Sequence, residues 1–470
     1  MRLLLPTGTA TYELVKKAAE GLEARVVITG EIASFLTPRH LKQLIESGDY
    51  DLVLVSGMST ASFEEVERQT GIPVYRGPRH AADLGMILPL VGKVPLSRTI
   101  PADDLLVERR REEAERRIAA KEEEAEPVYL VRSLKIGGNS RMKVLAEIMD
   151  AHREPDILCR VEEFFGKGAD IVDLGFGFDA SPDGVKRVFR ELEGVPGPLA
   201  ADTQDPALIA ASLDRADLIL SLSDANIPAV GRMLADHGTG AVVIPGERSL
   251  AENIRSAEEA GISCIIADPL LQPAGSGLVH SFGGFEGIGY PFFFGAGNVV
   301  ELLDADSIGA NALLAAMASE VGAAVIFSSE HSDKTRGSIR EMRQATEMMV
   351  LAEGRPYPKD LGIDLLVIKE KRRRREPPPD YCQVIEGVPL PKEITYDPCG
   401  NFRIGIEGGE IVAVINGRAY RGKSWAALFH AIQQHGDVSL LDHAAYLGAE
   451  LFKAELALRF GRSFEQDGSF

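Results

Sequence analysis

Short apolar runs alternate along this chain with stretches whose apolar positions recur at helical spacing. From Val128 to about Gly354 one theme repeats: apolar run, short loop, amphipathic segment. Continuous apolar runs suit strands buried on both faces, as in a parallel sheet. Strands are expected to start near Val128, Asp170, Leu199, Leu218, Ala241, Cys264, Pro291 and Ala324. Helices are expected over Arg141–Asp150, Val185–Leu192, Ala207–Arg215, Ile227–His237, Ser249–Ala260, Ser307–Val321 and Ser338–Ala352. Eight strand–helix units over about 225 residues match a (β/α)8 TIM barrel, which carries its active site at the C-terminal ends of its strands.

The flanks follow other patterns. Residues 1–102 read as an open α/β domain of the Rossmann or flavodoxin kind, with strands at Arg2–Leu5, Arg25–Ile28, Leu52–Ser56 and Val74–Tyr75 and a helix at Thr11–Leu22. The turn Pro6-Thr7-Gly8-Thr9 could hold an anion on free backbone N–H groups, but it lacks a full glycine fingerprint. Residues 103–126 are a charged helix whose mixed signs suit a solvated connector. The barrel is assigned to 127–368 and a basic, proline-rich linker to 369–380, where the prolines forbid helix continuation. Residues 381–470 form a small α+β domain. Phe402–Glu407 and Glu410–Ile415 flank Gly408-Gly409 as a hairpin, and two helices follow, Ser424–Gln434 and Leu440–Phe460.

Composition narrows the class. The net charge of −19 argues against nucleic acid as a partner. The four cysteines, Cys159, Cys264, Cys382 and Cys399, form no C-x-x-C pair. That makes a zinc ribbon or disulfide framework an unsuitable reading and fits a reducing interior. No apolar run spans a bilayer, and the start of the chain is too short for a signal peptide, so the expected location is cytoplasmic. Asp397, Cys399, His430 and His443 lack local ligand spacing, so no metal site is assigned.

Candidate chemistry lies at strand ends. Asp173, Asp202 and Asp268 each close an apolar run: Ile171-Val172-Asp173, Ala200-Ala201-Asp202 and Ile266-Ala267-Asp268. One such aspartate often caps a helix or fixes a turn. Three at equivalent ends of one barrel point to a site. A carboxylate accepts two parallel N–H bonds, which suits a flat heterocycle with adjacent donors, such as the 2-amino-N3-H edge of a pterin. Asn298, at the end of the seventh strand, offers a donor and an acceptor together, and its flanking glycines allow close approach.

Gly168-Ala-Asp-Ile-Val-Asp173-Leu-Gly175, with Ser181-Pro182 beyond, resembles the second-strand motif of dihydropteroate synthases and their pterin-binding relatives. Ala201-Asp202-Thr203 resembles their third-strand motif and Ala267-Asp268-Pro269 their sixth-strand Asp-Pro. The whole arrangement resembles the dihydropteroate synthase-like proteins of methanogenic archaea, which are linked to tetrahydromethanopterin metabolism. The resemblance implies a transferase that joins a dihydropterin methyl pyrophosphate to an arylamine in methanopterin or folate-type biosynthesis. Asp202 and Asp268 would grip the pterin, and Asp173 would lie near the reacting methylene. Asn298 and Asn226 are further pterin candidates. Lys135, His331, Lys334 and Arg336 would balance the pyrophosphate, with Asp173, His331 and Lys334 as the catalytic set. A reduced pterin is implied as substrate or cofactor, Mg2+ as its companion, and a homodimer as the candidate assembly.

The chain also departs from that pattern. After the seventh strand the synthase Ser-Arg-Lys is replaced by Gly297-Asn298-Val299, closer to pterin-dependent methyltransferases. The fourth-strand Asn-Asp is replaced by a stretch from Leu220 to Asn226, and the eighth-strand Arg-x-His becomes Ser329-Glu330-His331. The first-strand Asn-Val-Thr is not recognisable in Ser133–Asn139. Methyl transfer from a reduced pterin to a corrinoid or thiol, and non-catalytic pterin binding, are therefore the alternative functions.

Overall fold

The computed structural model describes residues 1–355, 357–359, 361–370, 381–389, 393 and 395–469. The expected linker falls almost wholly outside them, since only Lys369 and Glu370 are described. The chain divides into two compact units, residues 1–116 with 366–390, and residues 117–365 with 391–470. In the first unit, four parallel strands stand in the order Ala24–Ile28, Leu3–Thr7, Leu52–Val55, Val74–Arg76. The two central strands are buried along their length, as their unbroken apolar runs require. Helix Pro38–Glu46 starts where Thr37 accepts the His40 N–H and Pro38 presets the first turn. The charged stretch forms one helix, Ala102–Glu124.

The second unit contains the barrel. Its strands are β1 (Lys143–Ile148), β2 (Ile171–Gly175), β3 (Leu199–Asp202), β4 (Leu218–Leu222), β5 (Gly240–Val243), β6 (Ile265–Ala267), β7 (Phe292–Phe294) and β8 (Ala323–Ser329). They close into a parallel ring in which β8 pairs with β1 and β3 with β4. The (β/α)8 expectation holds, with one correction at its start. The run at Val128 does not begin the barrel. It forms an antiparallel hairpin, Tyr129–Val131 with Leu134–Ile136. The segment expected to be helix Arg141–Asp150 is strand β1. An apolar run such as Val144-Leu145-Ala146 fits either state locally, and pairing on both sides with β8 and β2 decides it.

Side-chain alternation sorts the barrel residues. Leu145, Ile171, Ala200, Leu218, Val242, Ile266, Phe293 and Val325 form one cluster with Val131 and Ile136 of the hairpin, which fills the ring from its N-terminal end. The neighbours Val144, Ala146, Val172, Leu174, Ala201, Ile219 and Ile326 belong to the outer core beneath the helices. Those helices begin at strong caps. Ser181 accepts the Gly184 N–H ahead of Pro182–Glu191, Asp205 accepts the Ala207 N–H ahead of Pro206–Ser212, and Ser249 with Glu252 forms a capping box ahead of Leu250–Glu259.

The N-terminal end of the barrel is held by paired charges. Asp170 receives Arg141 at 2.5 Å, Arg343 at 2.8 Å and the Val144 N–H at 2.8 Å. The fully buried Lys143 pairs with Glu122 at 2.8 Å. These contacts link β1, the approach to β2 and helix Ser338–Ala352, across the barrel's seam.

The C-terminal domain has a three-stranded antiparallel sheet, Arg403–Glu407, Glu410–Ile415 and Arg418–Gly422. The sequence reading has the first two strands and omits the third. Both connections have two residues at positive φ, Gly408-Gly409 and Asn416-Gly417, the pairs that match hairpin twist. Helices Trp425–His435 and Leu441–Phe460 cover the sheet, and Leu447, Leu451 and Ala454 of the second are buried in the core between them. Among the described residues no helix is long and apolar enough to cross a membrane.

Asp170→Ala strands the buried Arg141 without its partner. Breaking a buried pair costs about 3–5 kcal/mol, so urea unfolding of the full chain should show the barrel transition weakened by that order.

Candidate functional site

Interior positions recur every second residue, so the layer above the apolar plug is set by counting. Two residues beyond Leu145, Ile171, Ala200 and Ile266 stand Glu147, Asp173, Asp202 and Asp268. Register agrees: Glu147 stands opposite Asp173, and Asp202 opposite Gly175. Four carboxylates therefore line the C-terminal mouth. Asp173 is 1% exposed, and its Oδ1 has no hydrogen-bond partner among the described residues. Asp268 accepts the Leu270 N–H at 2.8 Å.

Crowded acids resist ionisation. Burial raises Asp173 well above its ordinary range, and the charges of Asp202 and Glu147 add to it. Burial pushes Asp202 to about 6 and Asp268 to about 7, the latter despite its backbone hydrogen bond. Burial also pushes Glu147 to about 7, with Asp202, Glu301 and Asp150 contributing. The mouth can therefore hold carboxyl groups as donors or acceptors near neutrality.

Sequence reasoning missed Glu147, because the segment carrying it reads as a helix when taken alone. Its signal was the run Val144–Ile148 ahead of helix Ile157–Lys167, a strand followed by a helix.

The other predicted residues have mixed fates. Asn298 is exposed in the first turn of helix Ala296–Glu301, beside Gly295, and makes no hydrogen bond among the described residues. Asn226 is 1% exposed and committed elsewhere: it accepts the Ser223 N–H at 2.9 Å and donates to Ser221 and Gln204 carbonyls. The amide clamps its own loop and cannot present a free edge, which corrects its assignment to the pterin. Lys135 needs a larger correction. It lies in the hairpin at the opposite end of the barrel, where its Nζ donates to the carbonyls of Glu122, Glu123 and Ala125. It caps the C-terminus of helix Ala102–Glu124, where cations are favoured, and is removed from the pyrophosphate side.

His331, Lys334 and Arg336 do lie on the loop after β8, with His331 and Arg336 exposed. Lys334 pairs with Asp304 at 3.1 Å. Glu301 organises this loop by accepting the N–H groups of His331 and Ser332 and the hydroxyls of Ser332 and Thr335. The N-terminus of helix Ser338–Ala352 is already filled: Glu330 accepts the Ile339 N–H at 3.2 Å and pairs with Lys167 at 2.5 Å. That helix end is not a free anion site.

In the C-terminal domain, Asp397 and His443 meet at 3.0 Å. Asp397 also accepts the hydroxyl and N–H of Ser439 and the N–H groups of Leu440 and Cys399, which hold it well below the usual carboxylate range. His430 instead faces Gln434. In the N-terminal unit a crevice opens where the strand order reverses, lined by Thr7, Thr11, Glu31, Ser56 and Arg79. The Pro6–Thr9 turn borders it, but Gly8 packs tightly: a Cβ there would come 2.4 Å from the Glu31 carbonyl oxygen.

Comparison with known proteins places the chain. It is 34% identical to "Uncharacterized protein MJ0107" of Methanocaldococcus jannaschii, across 99% of this chain and 98% of that one. The chain belongs to the family of this archaeal protein. The family described as PterinBD-DUF4346 matches residues 396–467, which are the C-terminal domain. Similar solved structures include dihydropteroate synthase of Thermus thermophilus in complex with 6HMPPP (21% identity, 44% of this chain and 92% of that one, TM-score 0.36). Another is the Yersinia pestis dihydropteroate synthase (20% identity, 46% and 95%, TM-score 0.36). The dihydropteroate synthase-like, pterin-binding recognition made from the sequence stands beside these findings.

The acidic layer predicts a pH dependence of stability. Carboxyls raised in the folded state bind protons that the unfolded chain has already lost. Their destabilisation is absent below about pH 4, grows as pH rises, and is complete above about 7. Glu147→Gln should leave stability at pH 4 unchanged and raise it at pH 8 by about 1–3 kcal/mol, measured by urea unfolding at the two pH values.

Proposed function

We propose that the barrel mouth binds a reduced pterin and that the protein is a dihydropteroate synthase-like transferase, joining a dihydropterin methyl pyrophosphate to an arylamine. The observation that carries this reading is the layer of buried Asp173 and Asp268 with half-buried Glu147 and Asp202, which faces no neutralising cation among the described residues. Such a layer calls for a ligand rich in N–H donors. Asp202 and Asp268 would take the pterin's 2-amino and N3 donors in fork geometry, and Asp173 would sit nearer the methylene. Chemistry needs little from the protein beyond placement and charge. The C–O bond to pyrophosphate breaks, with the electron pair leaving on oxygen, and the pterin ring delocalises the cation. The arylamine nitrogen then bonds to the methylene carbon and loses one proton. We assign that proton to Glu147, whose carboxyl titrates near neutrality. His331 and Arg336 would face the departing pyrophosphate from the rim.

One observation favours methyl transfer instead. Lys334 is paired with Asp304 and Glu330 accepts an N–H of the adjacent helix end, while the exposed Asn298 makes no hydrogen bond among the described residues. An uncharged methyl group needs no countercharge at the rim.

Asp202→Asn and Asp268→Asn should each weaken dihydropterin binding about ten- to hundred-fold, the loss of one charge-assisted hydrogen bond worth about 1.5–3 kcal/mol, measured by fluorescence titration. Unchanged titrations in both variants would overturn the pocket assignment. Pyrophosphate release with an arylamine supports the synthase. Pterin binding without pyrophosphate competition moves methyl transfer ahead.

A further inference from the structure

Beyond the acidic layer, the loops after β1 and β2 bring three metal-type ligands together. Asp150 and His152 come from the first loop and Asp179 from the second, and one ligand atom from each lies within 4.8 Å of the others. His152 is the telling member. Its side chain is only 10% exposed, yet neither ring nitrogen has a hydrogen-bond partner among the described residues. Its Nε2 lies 3.3 Å from Asp179 Oδ1, off hydrogen-bond geometry and an ion pair only when the ring is protonated. A buried imidazole left without partners is costly unless something else takes its lone pair. Three ligand atoms of this kind within reach of one another are what a cation requires.

The surroundings keep that point open. Gly177 faces it, and a Cβ there would come 2.7 Å from Asp150 Oδ1 and 3.4 Å from Asp179 Oδ1. Asp179 divides its oxygens: Oδ1 turns to His152, and Oδ2 is held by the Arg153 guanidinium. Arginine thus orients the carboxylate from behind without occupying the shared point. The Arg153 guanidinium, which pairs with Asp179 and lies 3.9 Å from Asp150 Oδ2, already neutralises part of the charge of the two carboxylates.

We propose that Asp150, His152 and Asp179 bind one divalent cation at the rim of the barrel, independently of the pterin reading. Two carboxylates with one imidazole suit a borderline to hard ion, Mn2+ or Zn2+, rather than a thiophilic one. Three protein ligands leave coordination positions for water or for an anionic substrate group.

The test uses the full chain, stripped with a chelator and titrated with Mn2+. Loss of the free-ion electron paramagnetic resonance signal should report one bound ion per chain. Pulsed spectra should show nitrogen modulation from an imidazole, and Zn2+ should compete. His152→Ala should remove that modulation and weaken binding at least tenfold. The side chain of Asp179 is 53% exposed, so Asp179→Asn should fold normally and weaken binding to a similar degree. Gly177→Ala should crowd the ion and do the same, while the distant Asp205→Asn should change nothing. If His152→Ala fails to fold, Asp179→Asn and Gly177→Ala decide. No Mn2+ uptake at millimolar concentration, or uptake unchanged in Asp179→Asn and Gly177→Ala, would overturn the proposal. Loss of pterin binding with Mn2+ uptake intact would count against the pterin reading alone.

Discussion

A closed parallel barrel leaves its side chains no choice of face. Once β8 pairs with β1, every second residue of all eight strands points into one narrow interior. The apolar plug fills the lower part of that space. The next layer receives Glu147, Asp173, Asp202 and Asp268 together, and repulsion within a dry volume follows directly from the closure. A single residue's shift in any strand would turn its acid outward into the helix layer. The acidity of the mouth is thus a consequence of register, held by the hydrogen-bonded ladder around it.

The two ends of the barrel treat charge in opposite ways. At the N-terminal end every buried charge described above has a partner, as with Asp170 between Arg141 and Arg343, or Lys143 with Glu122. That end supports the seam between first and last strands. At the mouth the carboxylates face no cation among the described residues, and Asp173 Oδ1 has no hydrogen-bond partner among them. Interactions that would stabilise the free protein are withheld where a ligand can supply them, a familiar division between scaffold and site.

The loops around the mouth are fixed by polar side chains that take no part in the chemistry. Glu301 gathers the loop after β8, Asn226 ties the loop after β4, and Glu330 fills a helix end while pairing with Lys167. Each satisfies backbone N–H groups that would otherwise face a crowded rim. The contacts of Glu301 fix the loop that carries His331.

The sequence by itself determined most of the barrel. Its apolar runs located seven of the eight strands, its helical spacing placed helices such as Val185–Leu192, found at Pro182–Glu191, and its strand-end acids named Asp173, Asp202 and Asp268. These features are local, and local periodicity suffices to read them. It could not assign β1, because an apolar run of six residues satisfies strand and helix alike until its neighbours are known. Glu147 was lost with that strand. Nor could it tell that Lys135 would cap a helix at the far end, or that Asn226 would spend its amide on its own loop. Both outcomes depend on which backbone groups lie nearby in space. The meeting of Asp150 and His152 with Asp179 is of the same kind. Residues some 30 apart in sequence become neighbours only because β1 and β2 lie side by side, a spacing of about 5 Å set by the sheet and not by the chain.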